Sequence, residues 1–387
     1  MRRYLFLLFA LSLAPLAPAL AARSGSQDPT PAPDRIVPFK MTSSRLSQYW
    51  GREIVLEAAV VLPRGDAPEG GWPACYDIHG FGGNHRAAFF WGPQLIEQMD
   101  AGRAPAMLYV FLNAQCPMGH HEFADSANNG PWGEALVTEL VPALEREFSS
   151  AGTSLARFLT GHSSGGWSAL WLQITYPDFF GGAWAMAPDP VDFRDFTGID
   201  IYTFDNAYAD AGGREIMLIR RGAEWMVSLR DYAQREFARR AYGGQFASFN
   251  AVFSPRGDDG TPMKLFDPES GTIDRFVAKA WEKYDISLVL RRHWQELAPR
   301  LAGKLHIYVG SLDTFGLERA VILLQKELAA LGSDAEIVIV EGRDHGSLLA
   351  PHPELWPEGL LTKVHRKMAE RFEKARAAAP LRPKRAD

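Results

Sequence analysis

A chain of 387 residues, 47% hydrophobic and 12% aromatic, carries enough apolar material for one large core, which excludes a largely disordered protein. Its net charge of −5 speaks against nucleic acid as a partner. Past the N-terminus no apolar run is long enough to span a bilayer, so no stable membrane insertion is expected.

The first element is an export signal. Arg2 and Arg3 give a positive start, residues 4–13 an apolar stretch, and Ala19-Leu20-Ala21 a small-x-small cleavage site. Pro15 and Pro18 stop the apolar run short of the roughly 20 residues a bilayer needs, so cleavage is expected rather than anchoring. Losing residues 1–21 removes two arginines and no acids, which takes the charge from −5 to −7. The protein is therefore expected to be exported, to a periplasm or out of the cell.

Residues 54–62 form a nearly continuous apolar run closed by Pro63, a strand signal, with turn residues over 65–73. Short β-type runs then alternate with helical ones at 74–78, 107–112, 157–160, 182–186, 305–309 and 335–340. Such alternation predicts an α/β fold, a mostly parallel sheet with helices on both faces. Between the second and third of these runs, Leu136, Val137, Leu140, Val141, Leu144 and Phe148 make one helical stripe that Pro142 should kink or restart. Residues 165–176 are apolar on nearly every side, as in a helix buried against a sheet.

From 190 to 300 the alternation fails. Turn clusters at Gly212-Gly213 and 257–260, and helical candidates at 227–239 and 273–281, read as a large insertion before the strand that precedes the candidate acid. The main domain is expected over 35–373, with 374–387 a disordered basic tail. Cys75 and Cys116 fall at opposite ends of neighbouring strands, which argues against a disulfide.

Chemistry concentrates at Gly161-His162-Ser163-Ser164-Gly165, a G-x-S-x-G pattern placed between a strand and an apolar helix. A sharp strand-to-helix turn lifts the serine to the sheet rim, and only glycines fit where the two arms nearly touch. A serine hydroxyl needs a base, and the base an orienting acid, in the chain order Ser, Asp or Glu, His. Asp313 lies just past the 305–309 strand and His345 just past the last one, so Ser163, Asp313 and His345 are the expected triad. Asp344 is set aside because adjacent side chains rarely face one another. The glycine-rich bend His79-Gly80-Phe81-Gly82-Gly83 should aim a backbone N–H at the developing oxyanion, that of Phe81 first and Gly82 as the alternative, with the N–H of Ser164 as second donor. Phe193, Phe196, Tyr202 and Phe204, early in the insertion, and Gly82 in the bend, are the candidate substrate contacts.

Several segments together resemble the esterase D-type, enterochelin esterase-like group of α/β-hydrolases. They are 131–142 (Pro131-Trp132-Gly133-Glu134 to Pro142), 161–166, Tyr176-Pro177-Asp178-Phe179-Phe180, Gly310-Ser311-Leu312-Asp313 and Asp344-His345-Gly346. The resemblance covers 45–188 and 303–372 and implies an α/β-hydrolase fold and a secreted serine esterase acting through an acyl-enzyme. It implies small-molecule or carbohydrate-linked esters as substrates and no cofactor. The insertion departs from the group, so the substrate is not carried over. An acyltransferase on the same scaffold and a non-catalytic binding protein are the rival readings; retention of all three triad residue types argues against the latter. His120-His121-Glu122 lacks further ligands at metal-binding spacing, so no metal is expected, and the three are read as a loop bordering the pocket. Trp167, Trp171 and Trp184 are read as core.

Overall fold

The computed structural model describes residues 34–238 and 244–378. The expected signal sequence lies outside them. Eight strands form the central sheet: β1 (Ile36–Thr42), β2 (Val55–Val61), β3 (Ala74–Ile78), β4 (Leu108–Leu112), β5 (Arg157–His162), β6 (Gly182–Met186), β7 (Leu305–Gly310) and β8 (Glu336–Val340). Their spatial order is β1-β2-β4-β3-β5-β6-β7-β8. The β1–β2 and β2–β4 pairs are antiparallel and every other pair is parallel. This is the α/β arrangement expected from the alternating runs and the α/β-hydrolase fold that the resemblance implies.

Burial follows strand position. β6, in the middle of the sheet, is buried at all five residues, whereas the edge strand β1 is buried only at Ile36 and otherwise alternates between half-buried and exposed. β1 was not anticipated: Pro38 and Lys40 break the apolar signal, as edge strands often do.

Helices cover both faces. They include α1 (Ala87–Asp100), α2 (Ser164–Thr175), α3 (Gln245–Phe253), α4 (Ile286–Leu301), α5 (Glu318–Ala330) and α6 (Leu360–Ala378). Because α6 runs to Ala378, residues 374–378 are helical and do not belong to a disordered tail. The stripe from Leu136 turns as π-helix over Leu136–Leu140 before resuming as α-helix at Val141–Glu147. Pro142, with no N–H to give, sits in the first turn of the resumed helix, the position where a missing donor costs least.

The insertion does not form a separate core. Phe193, Phe196, Phe249, Phe253 and Trp281 pack ring against ring, and Trp167 of α2 joins them at 5.1 Å from Phe253. The apolar layer above the sheet thus continues into the insertion. Trp167 and Trp184 are buried and Trp171 packs half-buried beside them, so these tryptophans are core. Cys75 and Cys116 are free.

Candidate active site

The turn from β5 into α2 sets Ser163 at φ 60° and ψ −126°, a strained backbone for a residue with a side chain. Its N–H donates to the Met186 carbonyl at 3.0 Å, and its carbonyl accepts from Gly166 at 2.8 Å and Trp167 at 3.1 Å. The flanking glycines are required by contact: a Cβ on Gly165 would lie 1.8 Å from the Ile78 carbonyl oxygen, and one on Gly161 2.3 Å from Gly165 itself. β3, β5 and α2 therefore meet directly beneath the serine.

His345 follows β8, and its Nδ1 lies 2.7 Å from Asp313 Oδ2. Asp313 is fully buried after β7, and its other oxygen accepts from the N–H groups of Phe315 (2.9 Å) and Leu317 (3.4 Å). Burial alone would raise the Asp313 carboxyl, but His345 and these donors outweigh it and hold it below the usual carboxylate range. For His345 burial works to lower the pKa, and the Asp313 charge and hydrogen bond raise it above its ordinary value. A carboxylate on Nδ1 fixes the proton there and leaves Nε2 as the base.

His162 also orients the imidazole. Its ring lies 4.3 Å from that of His345, and its Nε2 is 2.9 Å from the His345 carbonyl. A carbonyl only accepts, so Nε2 carries the proton. Burial drives the His162 pKa down to about 3, so its ring stays neutral and adds no charge beside the base.

The bend after β3 packs on the serine. A Cβ on Gly80 would come within 3.2 Å of the Ser163 Cβ, and Gly83 N–H to Gly80 carbonyl (3.0 Å) closes the turn that contains Phe81. Gly82 has φ 79° there. The N–H of Ser164, in the first turn of α2, is one of the amides a helix start leaves without an intrahelical acceptor.

Beneath the bend, His120-His121-Glu122 is fully interior, which corrects the expected pocket-border loop. His120 Nε2 donates to the His79 carbonyl at 3.0 Å, and Glu122 accepts from Ser168 of α2 at 2.7 Å. Burial raises the Glu122 carboxyl well above its usual value and lowers His120 to about 4. Although His120 and Glu122 lie 3.2 Å apart, the contact is between two neutral groups and not an ion pair. No cluster of metal-ligating side chains occurs among the described residues.

Three contributors escaped the sequence reading. Asp189, after β6, is buried; its Oδ2 accepts from Ser164 Oγ at 2.6 Å and its Oδ1 from Ser163 Oγ at 3.4 Å. No hydrogen bond joins Ser163 to His345 among the described residues. Phe315 stands edge-on to the His345 ring at 5.0 Å. Arg220, from the insertion hairpin Met217–Arg221 and Glu224–Ser228, donates to the carbonyls of Asp313 (2.8 Å) and Ser311 (3.1 Å) and pairs with Glu318 at 2.6 Å. The same rim logic that selected Asp313 applies to Asp189, one residue past Ala187-Pro188; Arg220 carries no local signal.

Arg220 thus clamps the loop that holds Asp313. Arg220→Met is expected to lower kcat at least about 10-fold with little change in KM, since sub-ångström misplacement of an orienting group costs mainly the chemical step. The double variant Arg220→Met/Glu318→Gln removes the stranded carboxyl. Regained thermal stability without regained kcat would assign the loss to position, and an unchanged kcat in Arg220→Met would show that the loop holds Asp313 unaided.

The insertion aromatics fall differently from expectation. Phe193 and Phe196 are fully buried in the ring cluster, one layer behind Phe249, and Tyr202 turns away to donate to Asp285 at 2.9 Å. Phe204 packs half-buried against the core. None of the four lines the cavity beside Ser163, which is bounded by Asp189, Leu218, Gln245, Phe246, Phe249 and Phe315 among others. The cluster residues fill the insertion's own interior, where burying a ring contributes most.

With this geometry in place, comparison with known proteins is informative. Residues 47–194 match the family model Esterase, described as "Putative esterase". The resemblance read from the sequence is borne out. The match spans a little over a third of the chain and supports a carboxylic ester hydrolase. No curated protein sequence matches. Among solved structures, a ferulic acid esterase superposes with a TM-score of 0.51 at 14% identity, over 87% of this chain and 99% of its own chain. An S-formylglutathione hydrolase from Agrobacterium tumefaciens gives 0.48 at 17% identity, over 87% and 94%. A fluorophosphonate-binding serine hydrolase of Staphylococcus aureus gives 0.49 at 12%, over 87% and 98%. At such identities the first of these superpositions speaks to the fold of the chain alone, and no helix among the described residues is long and apolar enough to cross a membrane.

Proposed function

We propose that the esterase cleaves carboxylic esters in two steps through an acyl group carried on Ser163. His345 Nε2 takes the Ser163 proton as Oγ attacks the carbonyl carbon, and Asp313 steadies the imidazolium that forms. The N–H groups of Phe81 and Ser164 receive the charge that develops on the carbonyl oxygen. His345 then gives its proton to the departing alkoxide. Water, deprotonated by His345 in turn, releases the acid and restores Ser163.

The observation that carries this reading is the 2.7 Å contact of His345 Nδ1 with a buried, ionised Asp313, on the same rim as a serine held at an elbow by glycines that admit no side chain. For the attack the Ser163 hydroxyl must turn from Asp189 toward His345, a single χ1 rotation. The residues at 1–21 support export as the setting in which this takes place.

A fluorophosphonate probe tests the reading directly, because it phosphonylates only a serine activated by its base. The wild-type protein should label stoichiometrically, with the modified peptide containing Ser163, and Ser163→Ala should not label. Labelling at another serine would overturn the assignment.

A further inference from the structure

Beside Asp189, whose carboxyl reaches Ser163 Oγ, lies a partly open cavity of about 30 Å³. Its walls are largely apolar, from Leu218, Phe246, Phe249, Phe315 and Leu317, and the insertion supplies most of them. Phe315 also touches the His345 ring, so the cavity opens beside the reacting atoms. The one carboxyl on its wall is Asp189, and that carboxyl lies 3.4 Å from Ser163 Oγ.

Asp189 is an acceptor in each of its hydrogen bonds. Oδ2 takes Ser164 Oγ–H at 2.6 Å and Gln245 Nε2–H at 3.4 Å, while among the described residues Oδ1 takes only the Ser163 hydroxyl. Once Ser163 turns to His345, Oδ1 is left without a donor in a buried, mostly apolar place. An unsatisfied buried oxygen is costly, and a substrate donor at that point would relieve it. Burial raises the Asp189 carboxyl to about 7.

Position decides which half of the ester fits. The alcohol half leaves in the first step, whereas the acyl half stays bonded to Ser163 Oγ until water arrives. A small space that meets that oxygen through Asp189 suits the half that stays. A volume of about 30 Å³ admits a few atoms and no aryl ring without opening.

We propose that this cavity is an acyl subsite for short acyl groups bearing a hydrogen-bond donor, a hydroxyl or an ammonium, on the carbon next to the carbonyl, with Asp189 as the acceptor. This rests on Ser163 being the nucleophile. A donor one carbon from the carbonyl falls within reach of an oxygen 3.4 Å from the attacking Oγ, while a donor farther along the chain would be carried past it.

The test compares ethyl esters of propanoic, 2-hydroxypropanoic and 2-aminopropanoic acids by titration of released acid. Each kcat/KM is divided by the ester's own hydroxide-catalysed rate to remove intrinsic reactivity. Wild type should favour the hydroxy or the amino ester over propanoate by about 10-fold or more, the span one buried hydrogen bond provides. Which of the two leads identifies the donor. Asp189→Leu should bring the favoured ratio to within about twofold of one. If that variant does not fold, the isosteric Asp189→Asn, which keeps an acceptor for Ser164, should reduce the ratio at least threefold. Equal corrected rates for all three esters in wild type, or a ratio untouched by the substitution, would overturn the subsite. Fluorophosphonate labelling of Ser163 in the same samples separates the two claims: a labelled enzyme without acyl preference refutes the subsite alone, and an unlabelled one refutes the nucleophile.

Discussion

Alanine at position 163 is expected to lower kcat for ester cleavage by about 10⁶, with folding and thermal stability close to wild type. The chemical half of this expectation follows from the loss of the acyl-enzyme route; what remains is the oxyanion donors acting on bound substrate and water, a residue of about 10³–10⁴ over the uncatalysed rate. The structural half follows from the elbow. Its strain belongs to the φ of 60° and is the same for alanine as for serine, since both carry a Cβ. The hydroxyl makes one long contact, at 3.4 Å to Asp189, and Asp189 keeps its shorter bond from Ser164. Circular dichroism and thermal unfolding should therefore superpose while steady-state cleavage collapses. Cleavage retained above about a tenth of wild type would remove Ser163 from the mechanism.

What could be read from residues alone was what local geometry enforces. The elbow is legible because a Cβ at Gly165 would meet Ile78 at 1.8 Å, a demand that leaves glycine in the sequence at a fixed offset from the serine. Asp313 and His345 are legible because each follows closely on a mostly apolar strand, and strand ends define the rim. Edge strand β1 was missed because its outward residues, Pro38 and Lys40 among them, dilute the apolar signal. The insertion was recognised as a break in alternation, but α3 and α4 inside it were not, and neither was which of its rings face the site. Burial in a ring cluster and burial around a cavity call for the same residue types, so Phe196 and Phe249 cannot be told apart without their neighbours. Arg220 lies 93 positions from Asp313, a contact that exists only once the hairpin has docked on the acid loop.

Asparagine at position 313 is expected to lower kcat by about 10⁴ at neutral pH and to move the acid limb of the pH profile downward. The first effect is a matter of tautomer. In the wild-type protein Asp313 Oδ2 takes the His345 Nδ1–H at 2.7 Å, leaving Nε2 to receive the serine proton. An asparagine NH₂ turned toward Nδ1 makes that nitrogen the acceptor and places the proton on Nε2, where it blocks base catalysis. The second effect is a matter of charge. Burial by itself lowers the His345 pKa, and the Asp313 charge and hydrogen bond reverse this to a net rise. Below that raised value His345 is protonated and idle as a base, so wild-type activity should fall as the pH drops through it. Removing the Asp313 charge leaves burial opposed only by the smaller contributions of Asp189 and Asp344, and the residual activity of Asp313→Asn should persist to lower pH. Asp189 supplies the control, because it too raises the His345 pKa and lies against Ser163. Near-normal activity in Asp313→Asn together with a loss of about 10⁴ in Asp189→Asn would give the orienting role to Asp189. The pairing of His345 with a carboxyl that two backbone N–H groups keep ionised favours Asp313, whereas burial holds Asp189 near neutrality.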